Sequence, residues 1–146
     1  MSMPDNGSRR LDHVGLNVAD LAAAESWYVQ AFGYRRELEA RVDGFELDIV
    51  MLVHPDSGDR LELLHRPGSR PGLRADDPPT AVLTAGIGHI AFDVVGVDAA
   101  FDRLVALGAR PVMDPRPSPE PGVRMAFVAD PEGNLVELLD RSGSAS

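Results

Sequence analysis

Apolar and polar residues alternate along His13-Val14-Gly15-Leu16-Asn17-Val18 and again along His89-Ile90-Ala91-Phe92-Asp93-Val94. Side chains on a strand point alternately to its two faces, so each run predicts a half-buried strand that carries a histidine. A helical period follows each strand. Asp20 is placed to cap the first helix, and Trp27, Tyr28, Ala31 and Phe32 return at helical spacing. Val97-Asp98-Ala99-Ala100 opens the second helix, and Gly33 and Gly108 mark the two ends, where a left-handed residue is needed. Strands are predicted over residues 34–41, 45–53 and 60–65, the last two joined by the turn-forming His54-Pro55-Asp56-Ser57-Gly58-Asp59. Further on, 123–129 and 134–140 flank the hairpin turn Asp130-Pro131-Glu132-Gly133. Residues 110–122 hold five prolines and predict a long loop after one edge strand, of the kind that covers a pocket.

The two halves are one pattern written twice. His13 and His89 lie 76 residues apart, while Gly33 and Gly108, and Glu62 and Glu137, lie 75 apart. Three matches in the same order, with one residue of slippage, point to an internal repeat. Each unit reads βαβββ and is too small to bury its sheet alone. The pair therefore predicts one α+β domain over 11–140, two tandem modules whose curved mixed sheets form a cleft. Module one spans 11–66 and module two 86–140, with 67–85, rich in Pro, Gly, Arg and Asp, as the linker. Residues 1–10 and 141–146 are read as disordered tails.

The repeat carries a His on its first strand and a Glu on its last, each among apolar neighbours. A strand histidine alone is ordinarily a hydrogen-bonded core or surface residue, and a strand glutamate ordinarily faces water. The same two types at matching places in both halves carry more weight. A carboxylate on a core-facing sheet surface costs several kcal/mol, roughly, unless it is paired or bound to metal. His13, Glu62, His89 and Glu137 would converge if the two sheets face each other. Two neutral imidazoles and two carboxylates neutralise a divalent cation, and this mixture suits zinc, iron, nickel, cobalt or manganese better than calcium.

Composition removes competing chemistries. With no cysteine, disulfides, thiolate zinc sites, iron–sulfur clusters and cysteine nucleophiles are excluded. All 14 basic residues are arginine, which excludes lysine Schiff-base and P-loop chemistry. The net charge of −9 argues against general nucleic-acid binding, which needs a basic surface, but leaves room for a local anion pocket. No apolar run approaches the ~18 residues of a membrane-spanning helix, and the first residues lead into no apolar leader segment. A cytoplasmic protein with a small-molecule partner is expected.

Asp12-His13-Val14-Gly15-Leu16-Asn17-Val18-Ala19-Asp20, Gly88-His89-Ile90-Ala91-Phe92 and the run from Phe127 to Leu138, with Asp130-Pro131-Glu132-Gly133-Asn134 at its centre, resemble the vicinal oxygen chelate superfamily. That superfamily includes glyoxalase I, methylmalonyl-CoA epimerase, extradiol dioxygenases, fosfomycin-resistance enzymes and bleomycin-binding proteins. Glyoxalase I takes a His and a Glu from each module, and by resemblance those places fall on His13, Glu62, His89 and Glu137. Dioxygenases and fosfomycin enzymes use three ligands without a counterpart of Glu62, and the epimerase commonly has Gln there. The resemblance thus implies a divalent-metal-dependent isomerase or lyase that transfers a proton next to a carbonyl through a metal-stabilised enediolate. It also implies a homodimer, with the metal site formed either within one chain or between two. A ring-cleaving dioxygenase with iron, and a protein that sequesters a drug or metabolite without turnover, are the alternatives.

By resemblance to glyoxalase I the base is a metal-ligating glutamate, Glu137 first and Glu62 as its symmetric alternative. Arg124 shares a predicted sheet face with Ala126 and Val128 and is the candidate for holding a substrate anion. Glu46 and Asp48 are lesser candidates for a base and read better as exposed strand residues. Trp27, Tyr28, Phe32, Phe92, Phe101 and Phe127 read as core. Arg35, Arg36 and Arg41 read as a solvated face, His54 and His65 as surface residues, and Asp130 and Asn134 as shaping a hairpin.

Overall fold

A computed structural model of the chain describes Gly7, residues 9–72 and residues 74–143. Most of the two expected tails lies outside the described residues. The first module runs β1 (His13–Asn17), α1 (Leu21–Phe32), β2 (Arg35–Val42), a 3₁₀ turn (Asp43–Phe45), β3 (Leu47–Val53) and β4 (Arg60–His65). After the linker helix α2 (Pro78–Ala81), the second module repeats this as β5 (His89–Asp93), α3 (Val97–Ala106), β6 (Arg110–Pro117), β7 (Arg124–Ala129) and β8 (Leu135–Asp140). The sheets have the orders β1-β4-β3-β2 and β5-β8-β7-β6. In both, the first strand lies parallel to the last, and the other pairs are antiparallel.

Local chemistry fixes where the helices begin and end. The Asp20 side chain accepts the Ala23 N–H at 3.0 Å, and Gly33, at φ 77°, supplies the left-handed residue that stops α1. Gly108, at φ 98°, ends the second helical segment in the same way. At the start of α3 no side chain of its own caps the helix; instead Asp140 accepts the Gly96 N–H at 2.9 Å.

The proline-rich stretch expected to be a loop is a strand as far as Pro117. β6 is the edge of its sheet, where a missing backbone N–H faces solvent and breaks no ladder bond. Register shifts between Pro111 and Met113 and between Met113 and Arg116 record the irregularity that the prolines impose.

One core joins both modules. Leu52, Leu61 and Leu63 from the first sheet meet Leu104, Val128 and Leu138 from the second module around Tyr28, which is wholly buried. Each fully buried aliphatic side chain contributes about 1.5–3 kcal/mol. Phe32 of α1 stacks on Phe92 of β5 at 3.9 Å between ring centroids. Polar ties add direction. Tyr28 donates to the buried Asp130 at 2.7 Å, and Glu132 accepts the backbone N–H groups of Ala19 and Asp20 at 2.9 and 3.0 Å. The turn between β7 and β8 thus grips the start of α1. A smaller cluster lies on the other face of the second sheet, where Ala75 and Ala81 from the linker cover Phe127 and Leu135.

Candidate functional site

Strand parity decides which side chains face away from the shared core. In β1, Val14 and Leu16 pack against the core, so His13, Gly15 and Asn17 face the other way. In β4, Leu61 and Leu63 are core, which turns Glu62 to the same outer face as His13. The parallel register sets Gly15 opposite Glu62, one step along from His13. In the second sheet, Ala91 is opposite Glu137, and Ile90 and Phe92 face the core while His89 faces out. His13 Nε2 lies 3.6 Å from a Glu62 carboxylate oxygen, and His89 Nε2 lies 3.1 Å from one of Glu137. Each module therefore brings its own histidine and glutamate together.

The four do not gather into one group within the chain. Among the described residues, no set of three or more His, Cys, Asp or Glu side chains is disposed to hold a metal ion. The two pairs also differ in their surroundings. Asp12 takes the other ring nitrogen of His13, Nδ1, at 2.8 Å. That hydrogen bond, reinforced by the Glu62 charge, holds the His13 imidazole above the usual histidine value, and it holds the Asp12 carboxyl below its own. At His89 the Phe127 ring stands edge-on, with centroids 5.4 Å apart.

Other expected site residues lie elsewhere. Arg124 is on the face that packs against α3, where it forms a two-pronged ion pair with Asp98 at 2.6 and 2.8 Å. Its strand neighbour Phe127, not Arg124, has the parity that meets Glu137. Asp48 pairs with Arg41 at 2.7 Å, and Glu46 is exposed in the left-handed conformation that ends the 3₁₀ turn. Arg36 binds Glu25 and Glu39, and Arg41 also reaches Asp43, so this face carries surface ion pairs.

His54 and His65 are half-buried rather than plain surface residues. The turn after β3 folds back on His54, whose Nδ1 accepts from the Asp56 and Ser57 N–H groups at 3.2 and 3.4 Å. His65 ends β4 within reach of β1, and its Nδ1 is 2.9 Å from the Val18 carbonyl oxygen. Near His54, the Tyr34 hydroxyl donates to Asp59, and burial, then this bond, pushes the phenol well above its usual value.

The sequence gives no sign of Asp12; Phe127 is core as expected, in the smaller cluster under the linker, and its ring also meets His89. Asp12 precedes the strand, so alternation says nothing of its side chain. Phe127 is out of phase with the core residues Ala126 and Val128.

Two clefts open between the modules. One, of about 980 Å³, is lined by His13, Phe32, Tyr34, His54 and Phe92. The other, of about 520 Å³, is lined by Gly15, Asn17, His89, Asn134 and the linker residues Arg70 and Arg74.

A family model described as Glyoxalase/Bleomycin resistance protein/Dioxygenase superfamily matches residues 10–138. An ethylmalonyl-CoA/methylmalonyl-CoA epimerase from Cereibacter sphaeroides is 32% identical over 104 residues, covering 69% of this chain and 72% of the epimerase. A probable lactoylglutathione lyase from Vibrio cholerae is 25% identical over 134 residues, covering 90% of this chain and 91% of its own. A lactoylglutathione lyase from Arabidopsis thaliana is 26% identical over 143 residues and 97% of this chain, which spans only 47% of that relative. Among solved structures, a glyoxalase family protein from Bacillus cereus superposes with a TM-score of 0.74 at 26% identity, covering 95% of this chain and 98% of its own. Glyoxalase I from Zea mays shares the fold, with a TM-score of 0.74 at 22% identity over 92% of this chain and 45% of the maize chain.

Proposed function

Because the chain belongs to the Glyoxalase/Bleomycin resistance protein/Dioxygenase superfamily, we propose that it is a divalent-metal-dependent isomerase or lyase that moves a proton on carbon next to a carbonyl. The observation that carries this reading is the pairing of His13 with Glu62 and of His89 with Glu137 at matched places in the two sheets. The donor types fit zinc, nickel, cobalt, manganese or iron, since two imidazoles and two carboxylates balance a divalent charge. Asp12 occupies Nδ1 of His13 and leaves Nε2 as the donor, the arrangement in which a carboxylate orients a metal-binding imidazole. When bound, the cation supplies Lewis-acid stabilisation of negative charge growing on the substrate oxygen.

Within that site, Glu137 takes the proton from the carbon and returns it, with Glu62 as its symmetric counterpart. Glu137 has the closer imidazole, and its side chain is 16% exposed against 23% for Glu62. Since each pair offers two donors, the site is completed between two copies of the chain in a cytoplasmic homodimer. His13 and Glu62 come from one copy, and His89 and Glu137 from the other. The names of the relatives offer two acyl carriers, glutathione and coenzyme A. The substrate is an acyl thioester or α-hydroxycarbonyl derivative of one of them.

Elemental analysis of untagged protein is expected to find about one cation per chain, lost in both His13→Ala and Glu62→Ala. Iron kept by Glu62→Ala but lost by His13→Ala would instead favour oxygen chemistry, and no metal after reconstitution would leave a binding protein. The shared site has its own test. A mixed dimer of His13→Ala with His89→Ala regains one intact site of two if the donors come from different copies. Recovery of metal and activity to about half is expected. No recovery would place both histidines of one site in the same chain.

A further inference from the structure

The smaller cleft has a feature that metal binding leaves unused. Its walls come from β1 and from the start of β5, where His89 stands, and the linker ahead of α2 borders it with Arg70 and Arg74. In a chain of net charge −9, two guanidinium groups border this cleft, with Glu132 as the one carboxylate among its lining residues. Most other arginines that touch a carboxylate do so closely: Arg36, Arg41, Arg60, Arg124 and Arg141 each reach one within 2.7 Å. Arg74 meets Glu132 only at 4.0 Å, and that carboxylate already accepts the Ala19 and Asp20 N–H groups. Among the described residues, Arg70 forms no hydrogen bond or ion pair.

Backbone geometry positions one of the two. The Arg74 guanidinium lies where a Cβ on Gly133 would stand, and Gly133 is held at φ 87° in the turn between β7 and β8. The absent side chain lets Arg74 lie along that turn at the rim of the cleft. A guanidinium fork matches a carboxylate or phosphate with two parallel hydrogen bonds, and it stays charged at any working pH.

We propose that Arg70 and Arg74 form the anion-recognition end of the substrate cleft, so that the ligand bears a carboxylate or phosphate remote from the carbon that reacts near His89. This rests on the reading of His89 as part of the reacting centre. Carboxylate and phosphate share the recognition chemistry, and glutathione and coenzyme A serve as the probes that separate them.

The test is calorimetric titration of the full-length protein with each probe, both after dialysis against a chelator and after loading with nickel. One of the two is expected to bind wild type, and Arg70→Gln and Arg74→Gln each to weaken it about ten-fold, as for loss of one charged hydrogen bond. Arg35→Gln, an equal change of charge on a distant exposed strand, is expected to leave the affinity unchanged. Equal affinity in wild type and both linker variants would overturn the proposal, as would failure of both probes to bind wild type. Probe binding that depends on the linker arginines in a protein that takes up no nickel would sink the metal reading and uphold this one.

Discussion

The second sheet has part of its outer face covered, whereas the equivalent face of the first is open. Ala75 and Ala81 from the linker bury Phe127 and Leu135 beside Glu137, to 5% and 4% exposure. On the first sheet, Ile49, Met51 and Leu64 around Glu62 are only half-buried. The backbone pattern and the His–Glu pair are repeated, but the cover is not, because the linker occurs once. A duplicated unit can therefore place the same His–Glu pair twice and still give it different surroundings. The helices show the same divergence. α1 is capped by its own Asp20 and by Glu132 of the other module, while α3 relies on Asp140 from its own last strand.

The largest expected effect tests whether this difference reaches the chemistry. Glu137→Gln is expected to lower kcat about 10²–10⁴-fold, the usual contribution of a positioned base, and Glu62→Gln to lower it less at saturating metal. Steady-state rates on a thioester substrate check this, and equal losses would show that the two carboxylates are interchangeable. The shared core should be indifferent to which module is cut. Leu63→Ala and Leu138→Ala, both at fully buried positions, should each cost about 2–5 kcal/mol in urea denaturation. Both should leave a single transition; two transitions in either variant would show modules that fold apart.

Smaller effects address the ties between helix and sheet. Glu132→Ala removes the acceptor for two N–H groups at the start of α1 and is expected to cost about 1–2 kcal/mol, more than most surface changes. No change in the urea midpoint would mean that solvent satisfies those groups equally well. The smallest effect concerns one ion pair in each module: Arg36 of β2 with Glu25 of α1, and Arg124 of β7 with Asp98 of α3. The arginine hydrogen bond holds each carboxyl below its ordinary value. A depressed folded value means stability that is present above the unfolded value of roughly 4 and is lost as pH falls through the folded one. Glu25→Gln and Asp98→Asn should therefore flatten the loss of stability below about pH 4, slightly because the pairs are partly solvated. A midpoint-versus-pH curve unchanged by either substitution would deny the ties any role.

Much of this was readable in the chain. Alternation set His13 and Glu62 among apolar neighbours on a face expected to look into the core; Val14, Leu16, Leu61 and Leu63 take the core face instead, which turns His13 and Glu62 outward. Cap chemistry at Asp20 and Gly33 bounded α1. Where the reading failed, a neighbour in space outweighed local propensity. The prolines of β6 suit a loop, yet an edge strand tolerates them because its outer N–H groups need no partner. His54 and His65 look solvent-facing in sequence, but a turn and an adjacent strand enclose them.

Sequence alone determined the duplicated βαβββ pattern and the His and Glu repeated in each half, because period, caps and spacing are properties of neighbours along the chain. The tertiary structure decided that each His meets the Glu of its own module, that Asp12 holds His13, and that the linker covers one outer face. These depend on which surfaces pack together, since a side chain's partners across a sheet or a cleft lie tens of residues away and leave no local trace.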